Sequence, residues 1–172
     1  NKAKIDVHMN TEATPEVLAP YALDAIIVAV GAEPNVPKIP GVDKENVWTA
    51  IDVYGKEDQL GDTVTLIGGG MVGCETALHL SSKGKKVILV EMLDVLAPDG
   101  IYTERLHTLD YIEKDPNITV YTDSKCVEIT DKGAVIEKEN GEKETIEADS
   151  IVLSAGMKSL EEDRDQFANQ AF

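Results

Sequence analysis

The chain has 172 residues and a formal net charge of −16, from 16 Lys and Arg against 32 Asp and Glu. That length supports one good core, or one domain with appendages. The acidity disfavours nucleic acid and anionic membrane surfaces as partners. The acids are dispersed, with small clusters at 137–144 and 161–165 that read as solvated surface. Aromatic residues are too few for a base-stacking platform, and no apolar run is long enough to span a bilayer. No signal peptide opens the sequence. Cys74 and Cys126 stand far apart and form no CxxC pair, so a reducing, cytoplasmic setting is expected.

In chain order, residues 1–20 contain no glycine. Asp24–Gly31 (DAIIVAVG) then reads as an acid, a buried strand and a glycine at the strand's C-terminal end. Residues 33–41 (EPNVPKIPG) are a proline-rich loop or extended connector. Val47–Tyr54 reads as a short strand and turn, leading to a helix around Gly55–Leu60. Val64–Ile67 is a buried parallel strand that runs into Gly68-Gly69-Gly70-Met71-Val72-Gly73. A helix follows, then a second apolar strand, Val87–Val90, ending on Glu91. Ile101–Lys114 has helical spacing through Leu106, Leu109, Tyr111 and Ile112, and Asp115-Pro116-Asn117 breaks it. Four short strands follow as a meander: Ile118–Thr122, Cys126–Thr130, Ala134–Lys138 and Glu144–Glu147, with turns at 131–133 and 140–141. The strand Ser150–Ser154 lies within DSIVLSAG, Asp149–Gly156, which repeats the earlier DAIIVAVG. Leu160–Phe172 reads as an amphipathic helix or a frayed end.

The segment Thr63–Glu91 is the most informative. Strand, glycine turn, helix, strand and terminal acid together are the fingerprint of a dinucleotide-binding unit. Gly68 permits the tight turn, Gly70 lets a pyrophosphate approach the backbone, and Gly73 lets the helix pack closely on the strand. The helix N-terminus offers free N–H groups and the positive end of its dipole to the phosphates. Gly73, Ala77, Leu80 and Gly84 share one helical stripe, and Gly84 also serves as a stop. Glu91 can accept hydrogen bonds from the adenosine ribose hydroxyls and repels a 2′-phosphate. No Lys or Arg follows through Met92–Leu96, so NAD(H) is expected over NADP(H). The alternative for Glu91 is an ordinary solvated strand end. The chain thus reads as one complete nucleotide-binding unit and the tail of a second.

The ordered segments AVGAEPNVPKIPG (29–41), VTLIGGGMVGCETALHL (64–80), VILVE (87–91) and IVLSAG (151–156) resemble the pyridine-nucleotide flavoprotein oxidoreductases, which bind FAD and NAD(P). The wording GGGMVGCETA, EMLDVLAPD and ADSIVLSAGMKS is most similar to the C-terminal half of the dienoyl-CoA reductase, enoate reductase and NADH:flavin oxidoreductase group. The resemblance runs from about Ile5 to Met157.

It implies an α/β fold: a Rossmann-like parallel sheet with a βαβ dinucleotide unit, an antiparallel β meander, and remnants of a second, FAD-type domain. The implied division is a partial FAD-type domain and connector over 1–58, an NAD(H)-binding domain over 59–156, and a return segment over 157–172. The family's glycine motif for FAD does not precede this unit, and its Gly-Asp motif does not follow it. The resemblance therefore implies an excised piece of a larger enzyme, separated from its FAD domain and from a barrel with FMN and an iron–sulfur cluster.

The implied chemistry is hydride transfer from nicotinamide to FAD, which the cofactors carry. No catalytic side chain is expected in this piece, and alone it is expected to be inactive. The resemblance puts the pyrophosphate over Gly70–Val72 and the adenosine ribose at Glu91; the implied cofactor-binding set also takes in Gly68, Gly69, Met71, Gly73 and Met92. Ala155 and Gly156 pass the nicotinamide, and Val30 and Gly31 pass FAD. Glu75 either lies near the nicotinamide or stabilises the helix N-terminus.

Two other readings remain: the glycine motif holds FAD, or the domain keeps a nucleotide such as ADP as a structural plug. His8, His79 and His107 are isolated helix-face or surface residues with no ligand spacing, so no metal is expected. Cys74 is read as a packing residue despite its place in the first helical turn. Trp48 and Tyr54 cover a flavin or, the stronger reading, plug the connector. Asp24 and Asp149 read as residues that open strands.

Overall fold

The computed structural model describes residues 3–168, which divide into two compact units. One unit runs from Pro34 to Met157. The chain crosses between the units in Ala32–Pro34 (β1) and Met157–Ser159 (β10), which form a two-stranded ladder.

Within the larger unit lie Val47–Thr49 (β2), Thr63–Ile67 (β3), Lys86–Val90 (β4), Ile118–Tyr121 (β5) and Ser150–Leu153 (β9). These five strands form one parallel sheet in the order β2-β9-β3-β4-β5. Their runs of Val, Ile and Leu suit a sheet covered on both faces. The strands after β3 progress towards β5, whereas β9 returns to the other side of β3. Ligands in such sheets bind in the crevice at this reversal, beyond the carboxyl ends of the strands. Asp149 opens β9 and ties it to β3, its carboxylate accepting the Thr63 N–H at 2.8 Å.

Met71–Ser82 (α2) and Tyr102–Lys114 (α3) cover one face. Val64, Leu66, Val87, Leu89 and Val152 meet Cys74, Ala77, Leu80 and Ile112 in the main core. The glycine stripe ends as the sequence suggests. Gly84 takes φ +83°, its N–H donates to the Ser81 carbonyl at 2.8 Å, and the Lys85 N–H reaches back to Leu80 at 3.1 Å. This is a Schellman stop.

Ser124–Thr130 (β6), Gly133–Lys138 (β7) and Lys143–Glu147 (β8) form an antiparallel sheet over the opposite face. Cys126, Ile129 and Ala134 pack there against Ile67, Ile151 and Leu153. The meander therefore has three strands rather than the expected four. Its supposed first member, β5, pairs parallel with β4, Val87 opposite Ile118. The break at 115–117 returns the chain to the bottom of the sheet, so β5 runs alongside β4.

The proline-rich connector is fastened to this layer. The Ile129 N–H donates to the Pro40 carbonyl at 2.8 Å, and Lys44 pairs with Asp131 at 2.6 Å. The expected helix near Gly55–Leu60 is a single 3₁₀ turn, Glu57–Gln59.

The second unit comprises residues up to Glu33 and from Lys158. It holds Pro15–Leu18 (α1), capped by the Thr14 hydroxyl, and Glu161–Asp165 (α4). The strand expected within Asp24–Gly31 does not form; Ile27 is 94% exposed. A strand needs a hydrogen-bonded neighbour, and no described segment lies beside this one as a sheet partner. The last four residues of the Leu160–Phe172 expectation lie outside the described residues. Among the described residues, no helix is long and apolar enough to cross a membrane.

Candidate functional site

The site is built on the turn between β3 and α2. Gly68 carries φ +108°, and a Cβ there would run into the Ser154 carbonyl oxygen. Its N–H donates to the Val90 carbonyl at 2.9 Å. Gly69 is enclosed by Leu96 and Glu91, and a Cβ on Gly73 would collide with the Gly68 carbonyl. Three of the four glycines thus have packing reasons.

Gly70 has none. Its backbone, φ −65° and ψ 178°, is open to any residue, and the one atom near an added Cβ is an Asp99 Oδ1 at 3.9 Å. The space above Gly70 is empty of protein, and no side chain caps the helix beginning there. The N–H groups of the first turn precede the first backbone bond, Cys74 N–H to the Gly70 carbonyl at 2.9 Å. They are free to meet a ligand.

Glu91 is buried, 7% exposed, rather than a solvated strand end. One carboxylate oxygen accepts the Gly69 N–H, and the other accepts the Leu93 N–H at 2.8 Å. Each oxygen keeps acceptor capacity beyond these bonds. The acid therefore braces the glycine turn while leaving lone pairs for an incoming hydroxyl.

A cleft of about 440 Å³ opens at the carboxyl ends of β3 and β4, lined in part by Gly68, Glu91, Met92 and Ala155. Sequence reasoning missed its other walls. Asn35, Lys38 and Ile39 come from the connector, and Lys125 and Cys126 from β6. The Asn35 N–H donates to the Gly156 carbonyl at 2.9 Å, and its side-chain amide donates to Ala155 at 3.2 Å. Nothing local marks these residues; proximity to the glycine turn arises only once the layers stack.

Of the expected site residues, Gly68–Gly73, Glu91, Met92, Ala155 and Gly156 all lie in the larger unit. Glu75 and Val72 are exposed on α2, and Met92 is exposed in the loop after β4. Val30 and Gly31 belong to the other unit.

Two expectations on single residues change or sharpen. His79 is not isolated: its Nε2 meets the Glu57 carboxylate at 2.6 Å, and its ring stacks at a tilt on Tyr54, centroids 4.7 Å apart. The hydrogen bond from His79 pulls the Glu57 carboxyl down to about 2. Tyr54 thereby docks the connector on α2, its hydroxyl 3.3 Å from that of Thr76. Cys74 is buried, and burial pushes its thiol up to about 11, as it does for Cys126. The dipole at the start of α2 does not overcome that desolvation. Among the described residues, no group of His, Cys, Asp and Glu is placed to hold a metal ion.

Residues 1–169 match the family described as pyridine nucleotide-disulphide oxidoreductase. The chain is 37% identical over 158 residues to a cinnamate reductase of Clostridium sporogenes, covering 90% of this chain and 23% of that protein. It is 35% identical over 168 residues to an NADH oxidase of Thermoanaerobacter brockii, covering 93% and 25%. A solved 2-naphthoyl-CoA reductase in complex with 2-naphthoyl-CoA superposes with a TM-score of 0.82 at 31% identity, covering 99% of this chain and 25% of that one. The chain spans about a quarter of the length of these relatives. The family implicates a nicotinamide nucleotide and FAD. A glycine turn at the sheet's reversal, a braced acid at the end of the next strand and a match across nearly the whole sequence give one conclusion: this chain is a dinucleotide-binding module belonging to the pyridine nucleotide-disulphide oxidoreductase family.

Proposed function

We propose that this chain holds NADH across the carboxyl ends of β3, β4 and β9 and presents the nicotinamide to FAD within a longer flavoprotein. The observation that carries the reading is Gly70: a glycine that no protein neighbour requires, set against open helix-terminal amides. Those amides, at Met71 and Val72, hold the diphosphate. The spare lone pairs of Glu91 take the adenosine ribose hydroxyls, beside Met92, and favour NADH over NADPH. Asn35 steadies Ala155 and Gly156, which flank the nicotinamide. Glu75 stands near that end of the site or serves the helix N-terminus.

When bound, the cofactors supply the redox chemistry, a hydride passing from nicotinamide to flavin. This chain's residues bind and orient. Val30 and Gly31 line FAD in the intact enzyme. In this reading residues 59–156 form the NAD(H) domain, 1–58 are a partial FAD-type domain and a connector whose residues from Pro34 onward pack with the NAD(H) domain, and 157–172 return to the FAD-type domain. A catalytic barrel elsewhere in the parent selects the final acceptor, in a cytoplasmic enzyme. The relatives' reduction of cinnamate and of 2-naphthoyl-CoA supports a nicotinamide-fed reductase.

Titration with NADH, FAD and ADP tests the proposal. NADH is expected to bind saturably, with ADP competing. Retention of yellow FAD on purification would reassign the glycine motif to flavin. ADP held through dialysis, without NADH binding, would make the domain a structural plug.

A further inference from the structure

The segment 92–100 passes in front of the glycine turn and is pinned at successive points. The Ala97 N–H donates to the Gly69 carbonyl at 2.7 Å, and the Gly100 N–H donates to Ala97 at 3.0 Å. The Arg105 Nε donates to the Leu96 carbonyl at 3.0 Å. Ala97 is buried and held at φ +48°, a left-handed conformation that alanine adopts at a cost. Packing over-determines this strap, and its consequence is the position of the next residue but one, Asp99.

Asp99 is exposed and makes no hydrogen bond or ion pair among the described residues, so it contributes nothing visible to folding. Its Oδ1 lies 3.9 Å from where a Cβ on Gly70 would stand. That is the space the diphosphate occupies in the function proposed above. The surroundings are acidic as well: Asp99, Glu75 and Glu91 all act on the Cys74 thiol in the same direction, against Arg105.

We propose that Asp99 is an affinity-limiting residue of the nucleotide site, a carboxylate carried on a pinned backbone that opposes the diphosphate and speeds nucleotide release. The proposal rests on the diphosphate lying over Gly70. A full negative charge within about 4–6 Å of a polyanion, at a water-exposed mouth, is worth about three- to tenfold in affinity. The effect is carried by the charge, so it weakens as salt rises and vanishes for a ligand without phosphates.

The test compares the full chain with its Asp99→Asn and Asp99→Ala variants. Binding of ADP, NADH and adenosine is measured by calorimetry at low and high salt, with dissociation rates from stopped-flow. Both variants are expected to bind ADP and NADH about three- to tenfold tighter at low salt, mainly through slower release. The gain shrinks at high salt, and adenosine is unaffected. Variants that bind ADP no tighter than wild type, or more weakly, overturn the role of Asp99 alone. A gain that extends equally to adenosine also overturns it, because charge is then not the cause. Failure of folded wild type to bind ADP overturns the site itself, and the proposal with it.

Discussion

Gly70 and Gly73 belong to one motif, yet the structure predicts opposite consequences of adding a methyl group to each. At Gly70 the backbone angles suit alanine, and the nearest contact would be an ordinary 3.9 Å. Restricting the unfolded chain contributes about 0.4–1 kcal/mol. The poorer capping of alanine offsets most of that. The net change is within about 0.5 kcal/mol, or about 1–2 °C in melting temperature for a domain of this size. Binding is another matter. The methyl group fills the cradle and pushes the diphosphate off at least one charge-assisted amide bond. That costs about 1.5–3 kcal/mol, or about 10- to 150-fold in affinity.

At Gly73 the added Cβ collides with the Gly68 carbonyl and crowds Leu66 at 3.3 Å. α2 must then lift off β3, an overpacking cost of about 1–3 kcal/mol. Melting with and without NADH separates the two cases, because a ligand raises the transition only of a protein that binds it. Gly70→Ala is expected to melt like wild type but without the NADH-induced rise. Gly73→Ala is expected to melt several degrees lower even when ligand-free. A Gly70→Ala protein that keeps full NADH affinity would remove the diphosphate from this position. One that melts as low as Gly73→Ala would show that Gly70 has a packing role after all.

Glu91→Gln places an amide NH₂ where a carboxylate oxygen now accepts a backbone N–H, so it should lower stability by about 1–3 kcal/mol as well as weaken NADH more than NADPH; an unchanged melting curve would mean the brace on Gly69 contributes nothing. The Glu57 carboxyl is depressed to about 2 in the folded chain from an ordinary 4.5. Its contribution is therefore complete above about pH 4.5 and is lost as pH falls towards 2. Melting temperatures of wild type and Glu57→Gln should converge across that window; curves that stay parallel would dissociate the pair from acid sensitivity. Cys74 and Cys126, with thiols near 11 and buried, should resist a thiol reagent at neutral pH and react together on denaturation. Rapid labelling of the native chain would contradict that burial.

The glycine turn was legible because each of its requirements is local. A strand, a turn needing φ > 0 and a helix stop leave marks within a few residues, and the Schellman bond at Gly84 follows from the same logic. Sheet membership is not local. Ile118–Tyr121 has the composition of a meander strand, and only the return of the chain after Asp115-Pro116-Asn117 lays it beside β4. The segment Asp24–Gly31 shows the converse. Its pattern matches Asp149–Gly156, but β9 has β2 and β3 to pair with, and the earlier copy has no described partner. At the site, Glu91 was found by spacing, whereas its bond to Gly69 spans the βαβ crossover. Asn35, Lys125 and Asp99 carry no periodic signal, because their relevance comes from which surfaces the layers and the strap bring together.

The bond from Asn35 to Gly156 has an architectural consequence. It closes the larger unit beside the cleft, at the carboxyl ends of the strands, so the polypeptide arrives and departs through adjacent positions. A module shut in this way can be spliced into a host protein at a single point without rerouting either partner. Transplanting residues 34–157 as one cassette is therefore the natural way to exchange nucleotide preference between flavoenzymes while leaving the host's remaining fold in place.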